Sequence, residues 1–237
     1  MRQSNSYIII YASILTIVCG GLLALAAEGL KDRQQANVDM EQRKNILSTV
    51  MEIKDGDDVN ALYAQNVKGY VIDFSGKVVE GLDPAKLNLA AEWKKAPEGR
   101  NLPVYEFRNA TDNSKVEYVV LPVYGYGLWN EIWGFVAIQS DFNTVQGVKF
   151  EHKGETPGLG ARITESEVQG RFKGKSIFDQ DVIASIQIMK GEGNDYSNQP
   201  HKVDGMSGAT LTGKGVNSML LDYFKCYENY LKKNRIK

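Results

Sequence analysis

The sequence predicts an α+β fold, in which a single N-terminal transmembrane helix is followed by a mixed, largely antiparallel sheet domain with flanking helices. Three observations predict this fold. Residues 7–27 carry no charged side chain, as is typical of a membrane span. Several strand-like segments follow without the regular alternation of strands and helices that parallel sheets require. From Thr212 onward, apolar residues recur at the spacing of one helix face.

The uncharged run at residues 7–27 is 21 residues long and consists mostly of Ile, Leu, Val and Ala. A helix of this length crosses a hydrocarbon core of about 30 Å. A cleaved signal peptide is the alternative, because Ala24-Leu25-Ala26 resembles a cleavage site, but the apolar part of such peptides usually has about 7–15 residues. The length therefore favours a retained span. Its orientation stays open, because Arg2 before the run nearly balances Lys31 and Arg33 after it.

The next segments predict alternating short elements. Apolar residues at positions 46, 47, 50 and 51 have helical spacing and predict a helix over residues 32–53. Strands at 70–74 and 77–79 are predicted to be joined through Ser75-Gly76, and Asp83-Pro84 is typical of the start of a helix that extends to Trp93. The remaining predicted elements are strands at 104–108, 116–123, 132–138, 145–150 and 182–189, a short helix at 162–172, a loop at 191–205 and the terminal helix.

Composition limits the classes of function. The 237 residues are 43% hydrophobic and carry a formal net charge of −1, so the chain forms a core and lacks the positive charge of a nucleic-acid-binding protein. Cys226 is the one cysteine outside the apolar run, so neither an intradomain disulfide nor a cysteine cluster for a metal is predicted. His152 and His201 have no metal-binding spacing, and we predict no metal site. Because no hydrolase triad, Walker loop or dinucleotide fingerprint occurs, we predict neither catalytic residues nor an NADH site on this chain.

The tetrapeptide Ser207-Gly208-Ala209-Thr210 lies just before the terminal helix and is the principal candidate site. The free N–H groups at a helix N-terminus favour an anionic phosphate. Gly208 permits a tight turn, Ala209 leaves room for a ligand, and the Thr210 hydroxyl is available for an ester bond. Lys214, one turn further, either balances phosphate charge or is a solvated surface lysine. The motif alone is also compatible with an ordinary helix cap, and Thr212 is a candidate for that cap.

A second motif, Glu155-Thr156-Pro157-Gly158-Leu159-Gly160, predicts a stiff loop whose backbone would allow close contact with a ligand such as a flat ring. Pro157 stiffens the loop, while the glycines at positions 158 and 160 permit close backbone approach. Leu159 is the expected apolar contact. Thr156 and Glu155 offer hydrogen bonds to ring atoms, or they cap the helix that begins near residue 161. The aromatic side chains at positions 124, 126, 129 and 133 are a possible wall beside such a ring, but we interpret them as core residues entering a strand.

From about residue 121 the chain resembles the FMN-binding domain family, in which the threonine of a Ser-Gly-Ala-Thr motif carries FMN through a phosphoester bond. Residues 124–129, 134–137, 155–160 and 207–212 further resemble the family of C subunits of the sodium-translocating NADH:quinone reductases, which the single N-terminal span also fits. The resemblance implies that Thr210 bears covalent FMN. It also implies three regions, namely a tail and transmembrane helix at 1–28, an accessory α/β region at 29–120 and an FMN-binding domain at 121–237.

The resemblance implies an electron-transfer subunit of a membrane complex that oxidises NADH, reduces quinone and exports sodium. The implied partners are the other subunits, membrane lipid and a separate flavin transferase that attaches the FMN. Because flavin transfer in this family is extracytoplasmic, the soluble domain is expected on the periplasmic side of the inner membrane. Two alternatives stay open from the sequence: the G subunit of an Rnf-type electron transport complex, which shares the flavin motif, and a membrane-anchored scaffold without flavin.

Overall fold

The computed structural model describes residues 4–108 and 115–235, and the chain divides into two compact units between Gln42 and Arg43. The first unit consists of most of helix α1, Asn5–Ser48. Apolar side chains from Tyr7 to Leu30 are exposed all around this helix, and one stretch is long and apolar enough, by length and composition, to cross a membrane. The predicted N-terminal apolar helix and its continuation beyond residue 32 are confirmed. Arg2, which precedes the apolar run, lies outside the described residues.

The second unit is built on a five-stranded antiparallel sheet in which each strand pairs with the next one along the chain. Its strands are β1 (Val67–Ile72), β2 (Leu102–Arg108), β3 (Val116–Tyr126), β4 (Glu131–Gln139) and β5 (Val145–His152). The α+β fold with a largely antiparallel sheet is therefore confirmed. The alternation of apolar residues correctly predicted the last four of these strands to within a few residues at each end.

One face of the sheet packs against the terminal helix α5, Thr210–Asn234. Val216, Leu220, Tyr223 and Phe224 are fully buried on this helix, as the helical spacing of its apolar residues predicts. The Tyr227 hydroxyl donates a hydrogen bond of 2.8 Å to the carbonyl of Pro103, which ties the helix to β2. The opposite face of the sheet packs against the end of α1, where the side chains of residues 46 and 47 are buried.

The other elements are short. They are α2 (Val59–Asn66), α3 (Leu89–Trp93), α4 (Ser166–Gly170), 3₁₀ helices at Pro84–Lys86, Pro97–Gly99 and Gly160–Thr164, and the two-residue strands β6 (Phe178–Asp179), β7 (Val182–Ile183), β8 (Gln187–Ile188) and β9 (Lys202–Val203). β6 pairs with β7, and β8 pairs with β9 in parallel. The pieces from the 3₁₀ helix at Gly160–Thr164 to β9 connect the large sheet to α5, whereas the others precede β1 or lie between β1 and β2.

Several predicted elements were wrong in detail. The helix expected from Asp83 to Trp93 is broken at Leu87 and Asn88, whose extended backbones let the Asn88 side chain cap α3. The strand expected at 77–79 is a single bridge between Ile72 and Val78. The helix expected at 162–172 is divided into a 3₁₀ turn and α4.

The strand expected at 182–189 is also wrong, because Ser185 has a φ of 61°. A left-handed residue cannot continue a strand, so the segment is divided into β7 and β8, which belong to different sheets. The loop expected at 191–205 contains β9. The three-part division at residues 28 and 120 stays a prediction; Val120 itself lies within β3, where it pairs with Tyr105 and Ala137.

Candidate functional site

Thr210 is the first residue of α5, directly after the turn predicted from the sequence. Gly208 has a φ of +74°, a left-handed conformation that glycine adopts without steric cost. Ala209 is the N-cap residue and supplies no side-chain hydrogen bond to the helix. The first-turn N–H groups of α5 therefore have no side-chain cap, which leaves them suited to an anion. Thr210 is half-buried, and Ser207 and Gly208 are exposed.

Glu155 joins the two predicted motifs. Its Oε2 atom accepts a hydrogen bond of 2.6 Å from the hydroxyl of Thr212, and its Oε1 atom accepts one of 2.9 Å from the backbone N–H of Trp129. Glu155 is only 3% exposed. The buried Glu155 carboxylate thus holds together the loop at 155–160, the turn after β3 and the start of α5. The expectation that Thr212 caps the helix was wrong, because its hydroxyl binds Glu155 inside the first turn.

The ionisation of Glu155 follows from these contacts. Burial by itself raises the pKa of this carboxyl group. The hydrogen bonds from Thr212 and from the backbone N–H groups of Trp129 and Asn130 outweigh burial, so that the pKa lies below its usual value. Glu155 is therefore a carboxylate at neutral pH. The Thr212 hydroxyl and the backbone N–H groups of Trp129 and Asn130, which donate to it, are uncharged.

Gly160 is required by the close approach of these segments. A Cβ atom at position 160 would lie 2.5 Å from Glu155 Oε2 and would also meet the hydroxyl of Thr212. The sequence suggested that Gly160 lets the loop approach a ring. The structure shows a second reason for the glycine, which is that the loop passes directly over the Glu155–Thr212 hydrogen bond.

Leu159 lies against the turn before Thr210. Its side chain is 42% exposed, and its Cδ2 atom would lie 2.6 Å from a Cβ atom at position 208. Thr156 and Gly158 in the same loop are exposed. The backbone carbonyl of Thr156 accepts hydrogen bonds from the N–H groups of Leu159 and Ala161, both of 3.1 Å, and so closes the loop. The following 3₁₀ helix has no side-chain cap, so the capping role considered for Glu155 and Thr156 is not observed.

Five exposed apolar side chains lie in the segments that meet here. Besides Leu159, they are Tyr126, Leu128, Trp129 and Leu211. Trp129 is 69% exposed, although the sequence placed it in the core. Trp129 is exposed because it lies in a tight turn after β3, in which the N–H of Gly127 bonds to the carbonyl of Asn130. Tyr124, by contrast, is buried as expected.

Two further groups lie beside the turn. Lys214 is exposed on α5, four residues after Thr210 and hence on the same face of the helix. Glu192 accepts a hydrogen bond of 2.9 Å from the backbone N–H of Ser207. Sequence reasoning missed Glu192, because this residue lies in a polar loop and its own hydrogen-bond partners are distant in sequence.

The site as a whole suits a ligand with a phosphate group and a flat apolar ring. The uncapped start of α5 and Lys214 favour negative charge at Thr210, and the exposed apolar side chains offer a surface for a ring. The family described as the FMN-binding domain matches residues 127–225, a range that includes both the loop at 155–160 and the Ser-Gly-Ala-Thr turn.

Individual relatives specify the family further. The C subunit of the Na(+)-translocating NADH-quinone reductase from Vibrio campbellii is 36% identical, over 85% of this chain and 84% of that protein. The protein of the same name from Haemophilus ducreyi is 33% identical, over 94% of this chain and 91% of that protein. The crystal structure of the C subunit from Parabacteroides distasonis has a TM-score of 0.75 and 30% identity, covering 85% of this chain and 96% of that chain. The chain belongs to the family of C subunits of the Na(+)-translocating NADH-quinone reductases.

Proposed function

We propose that this chain carries FMN on Thr210 through a phosphoester bond and transfers electrons within a membrane complex that oxidises NADH, reduces quinone and exports Na⁺. The observation that carries the proposal is the position of Thr210 at the uncapped start of α5, where the hydrogen bond from Thr212 to Glu155 holds the loop at 155–160 against the first turn of the helix. Membership in this reductase family favours such a complex over an Rnf-type complex and over a scaffold without flavin.

The attachment step uses the Thr210 hydroxyl as the acceptor. The Oγ1 atom would form a bond to the flavin-side phosphorus of a flavin dinucleotide, the phosphoanhydride bond would break, and a nucleoside monophosphate would leave with the electron pair. The hydroxyl proton passes to a base of the separate flavin transferase. The first-turn N–H groups of α5 stabilise the phosphate oxygens, and Lys214 adds a positive charge on the same helix face. Ser207, Gly208 and Ala209 form the turn that presents Thr210.

The remaining residues hold the ring. Leu159 provides an apolar contact beside Gly208, and Gly158 and Thr156 line the exposed side of the same loop. Glu155 fixes the loop through its hydrogen bonds to Thr212 and Trp129. FMN, when bound, supplies the one- and two-electron redox chemistry, and the protein supplies position and electrostatic environment. Among the residues that the structure describes, we assign none as a catalytic acid, base or nucleophile in electron transfer.

The N-terminal helix anchors the protein. Its exposed apolar side chains over residues 7–30 match the solvent properties of lipid and of other membrane helices. We assign α1 to the inner membrane as a single span in contact with lipid and the other subunits. The globular unit faces the periplasm, where the flavin transferase acts on it.

The proposal is tested with the full chain produced together with an active flavin transferase. The intact mass of the wild type should exceed that of the polypeptide by FMN minus water, and the band should fluoresce in a denaturing gel. Thr210→Val should lose both signals, because valine has the shape of threonine without the hydroxyl. Ser218→Ala, which removes an exposed hydroxyl elsewhere on α5, should keep both. A wild type without the added mass, or a labelled Thr210→Val variant, would overturn the assignment.

A further inference from the structure

A cluster of charged side chains holds the chain just before the Ser-Gly-Ala-Thr turn. Glu192 Oε2 accepts the backbone N–H of Ser207 at 2.9 Å. The guanidinium of Arg162 binds the same carboxylate through two parallel hydrogen bonds, of 2.9 Å from Nη1 and 2.7 Å from Nη2. Such bidentate pairs are the most directional of the ion pairs available to proteins. Arg162 lies in the 3₁₀ helix that directly follows the loop at 155–160, so Glu192 links that loop to the turn.

Arg171 completes the cluster from the C-terminal end of helix α4. Its Nη2 atom lies 3.3 Å from Glu192 Oε1, while its Nη1 atom donates to the backbone carbonyls of Asp204 and Gly205. The segment that enters the turn is thus held at three backbone positions, which are the carbonyls of residues 204 and 205 and the N–H of residue 207. All three contacts depend on side chains far away in the sequence.

Glu192 shares its two arginine partners with other acidic side chains: Arg162 also binds Glu165, and Arg171 also binds Glu167 and lies 4.0 Å from Asp204. The hydrogen bond from Arg162, together with the N–H of Ser207, lowers the pKa of Glu192 to about 2, so this carboxylate is ionised at neutral pH. Arg162 and Arg171 pair with the Glu192 carboxylate and partly offset its negative charge beside the turn.

We propose that Glu192 is a positioning residue for Thr210. By holding the Ser207 N–H, Glu192 fixes the start of the turn, so that the Thr210 hydroxyl is presented to the flavin transferase in one conformation. This inference rests on the proposed attachment of FMN to Thr210. Its physical basis is that a flexible acceptor loop must be ordered before reaction, whereas a turn that is already held requires no such step.

The test measures the rate at which the full chain gains flavin fluorescence when the transferase is limiting. Glu192→Ala should slow labelling about tenfold, because it removes a hydrogen bond between a charged and a neutral group. Glu192→Gln retains an acceptor oxygen for Ser207 and should recover most of the rate. The matched control is Glu167→Gln, which removes a different carboxylate from Arg171, at 2.7 Å, but does not contact the turn. It should label at the wild-type rate.

Two accompanying measurements separate positioning from loss of folding. Amide hydrogen exchange should become faster in Glu192→Ala in the peptide that contains Ser207, with the core of α5 unchanged. If the alanine variant shows no cooperative melting, Glu192→Asp takes its place, because the shorter carboxylate keeps the charge but does not reach Ser207. Equal labelling of wild type and Glu192→Ala, or equal slowing by Glu167→Gln, would overturn this inference alone. Absence of label on the wild type would overturn the proposed function as well.

Discussion

The two sides of the Ser-Gly-Ala-Thr turn are each held by a glutamate, but in opposite environments. Glu155 is almost completely buried, and Thr212, Trp129 and Asn130 are its uncharged hydrogen-bond donors. The side chain of Glu192 is 26% exposed, and two arginines neutralise it. The Glu155 side is therefore a packed part of the fold, whereas the Glu192 side is a surface cluster that water and salt can reach.

The difference has an energetic consequence. Removal of a buried carboxylate leaves its hydrogen-bond donors unsatisfied where water cannot reach them, and each such donor costs about 1–3 kcal/mol. A partly exposed ion pair that is broken is replaced by hydration, so its loss changes stability much less. We therefore expect the Glu155 side to determine stability and the Glu192 side to determine how Thr210 is presented. The following predictions test this division in order of decreasing effect.

The largest effect is expected for Glu155→Ala. The substitution leaves the Thr212 hydroxyl and the Trp129 N–H buried without their acceptor, so the free energy of unfolding should fall by about 3 kcal/mol. Urea unfolding of the full chain in detergent, followed by tryptophan fluorescence, measures the change. Glu167→Ala is the control, because its carboxylate is largely exposed and should change stability by less than about 0.5 kcal/mol. Similar losses of stability in Glu155→Ala and Glu167→Ala would contradict the expectation that the Glu155 side determines stability.

A smaller loss is expected for Gly160→Ala. The added methyl group would lie 2.5 Å from Glu155 Oε2, so the loop must move and weaken the Glu155–Thr212 bond. Overpacking of this kind costs about 1–3 kcal/mol. The same urea experiment on Gly170→Ala is the control, because a Cβ atom there meets no atom within 4 Å. A Gly160→Ala protein as stable as Gly170→Ala would show that the loop is not packed against this bond.

Gly208→Ala should lower the free energy of unfolding by about 1 kcal/mol, because a left-handed conformation costs an alanine roughly 1–2 kcal/mol. The cost is partly relieved if the turn opens, which would displace Thr210. We therefore expect flavin labelling to fall more steeply than stability in this variant. The in-gel fluorescence assay and urea unfolding, made on the same preparation, give the two values. Normal labelling together with reduced stability would argue against a held turn.

The smallest effect is a pH dependence on the Glu192 side. The pKa of Glu192 is lowered from 4.5 to about 2 in the folded protein, so the unfolded chain binds more protons between these values. Stability contributed by Glu192 is thus complete above about pH 4.5 and is lost as the pH falls toward 2. Urea midpoints measured at several pH values in this window should fall less steeply for Glu192→Gln than for Glu167→Gln. Parallel curves would mean that the Glu192 contacts do not persist in solution.

Much of the fold could be predicted because it depends on local patterns. Alternating apolar residues predicted β2 to β5, and helical spacing predicted α5. The predictions failed where single backbone conformations interrupt a pattern, as at Ser185, whose positive φ ends a segment of strand-like composition. The break at Leu87 and Asn88 has the same character, because a side-chain cap starts a new helix there.

The candidate site was partly predictable for a related reason. Ser207 to Thr210 and Glu155 to Gly160 are contiguous motifs, so their residues could be singled out one by one. Their partners could not. Trp129 was assigned to the core because an aromatic residue near a strand is usually buried, and only the turn at 127–130 exposes it. Glu192 gave no signal, because its role consists entirely of contacts with residues 15 to 30 positions away.

By itself, the sequence determined the apolar N-terminal helix and the antiparallel strands, and it singled out the Thr210 hydroxyl as the predicted point of flavin attachment. These features depend on composition and on spacing along a few neighbouring residues. Only the tertiary structure decided that Glu155 and Thr212 form one buried hydrogen bond and that Glu192 holds the turn. Such contacts join segments that are distant in the chain, and their geometry exists only after the sheet and α5 have packed together.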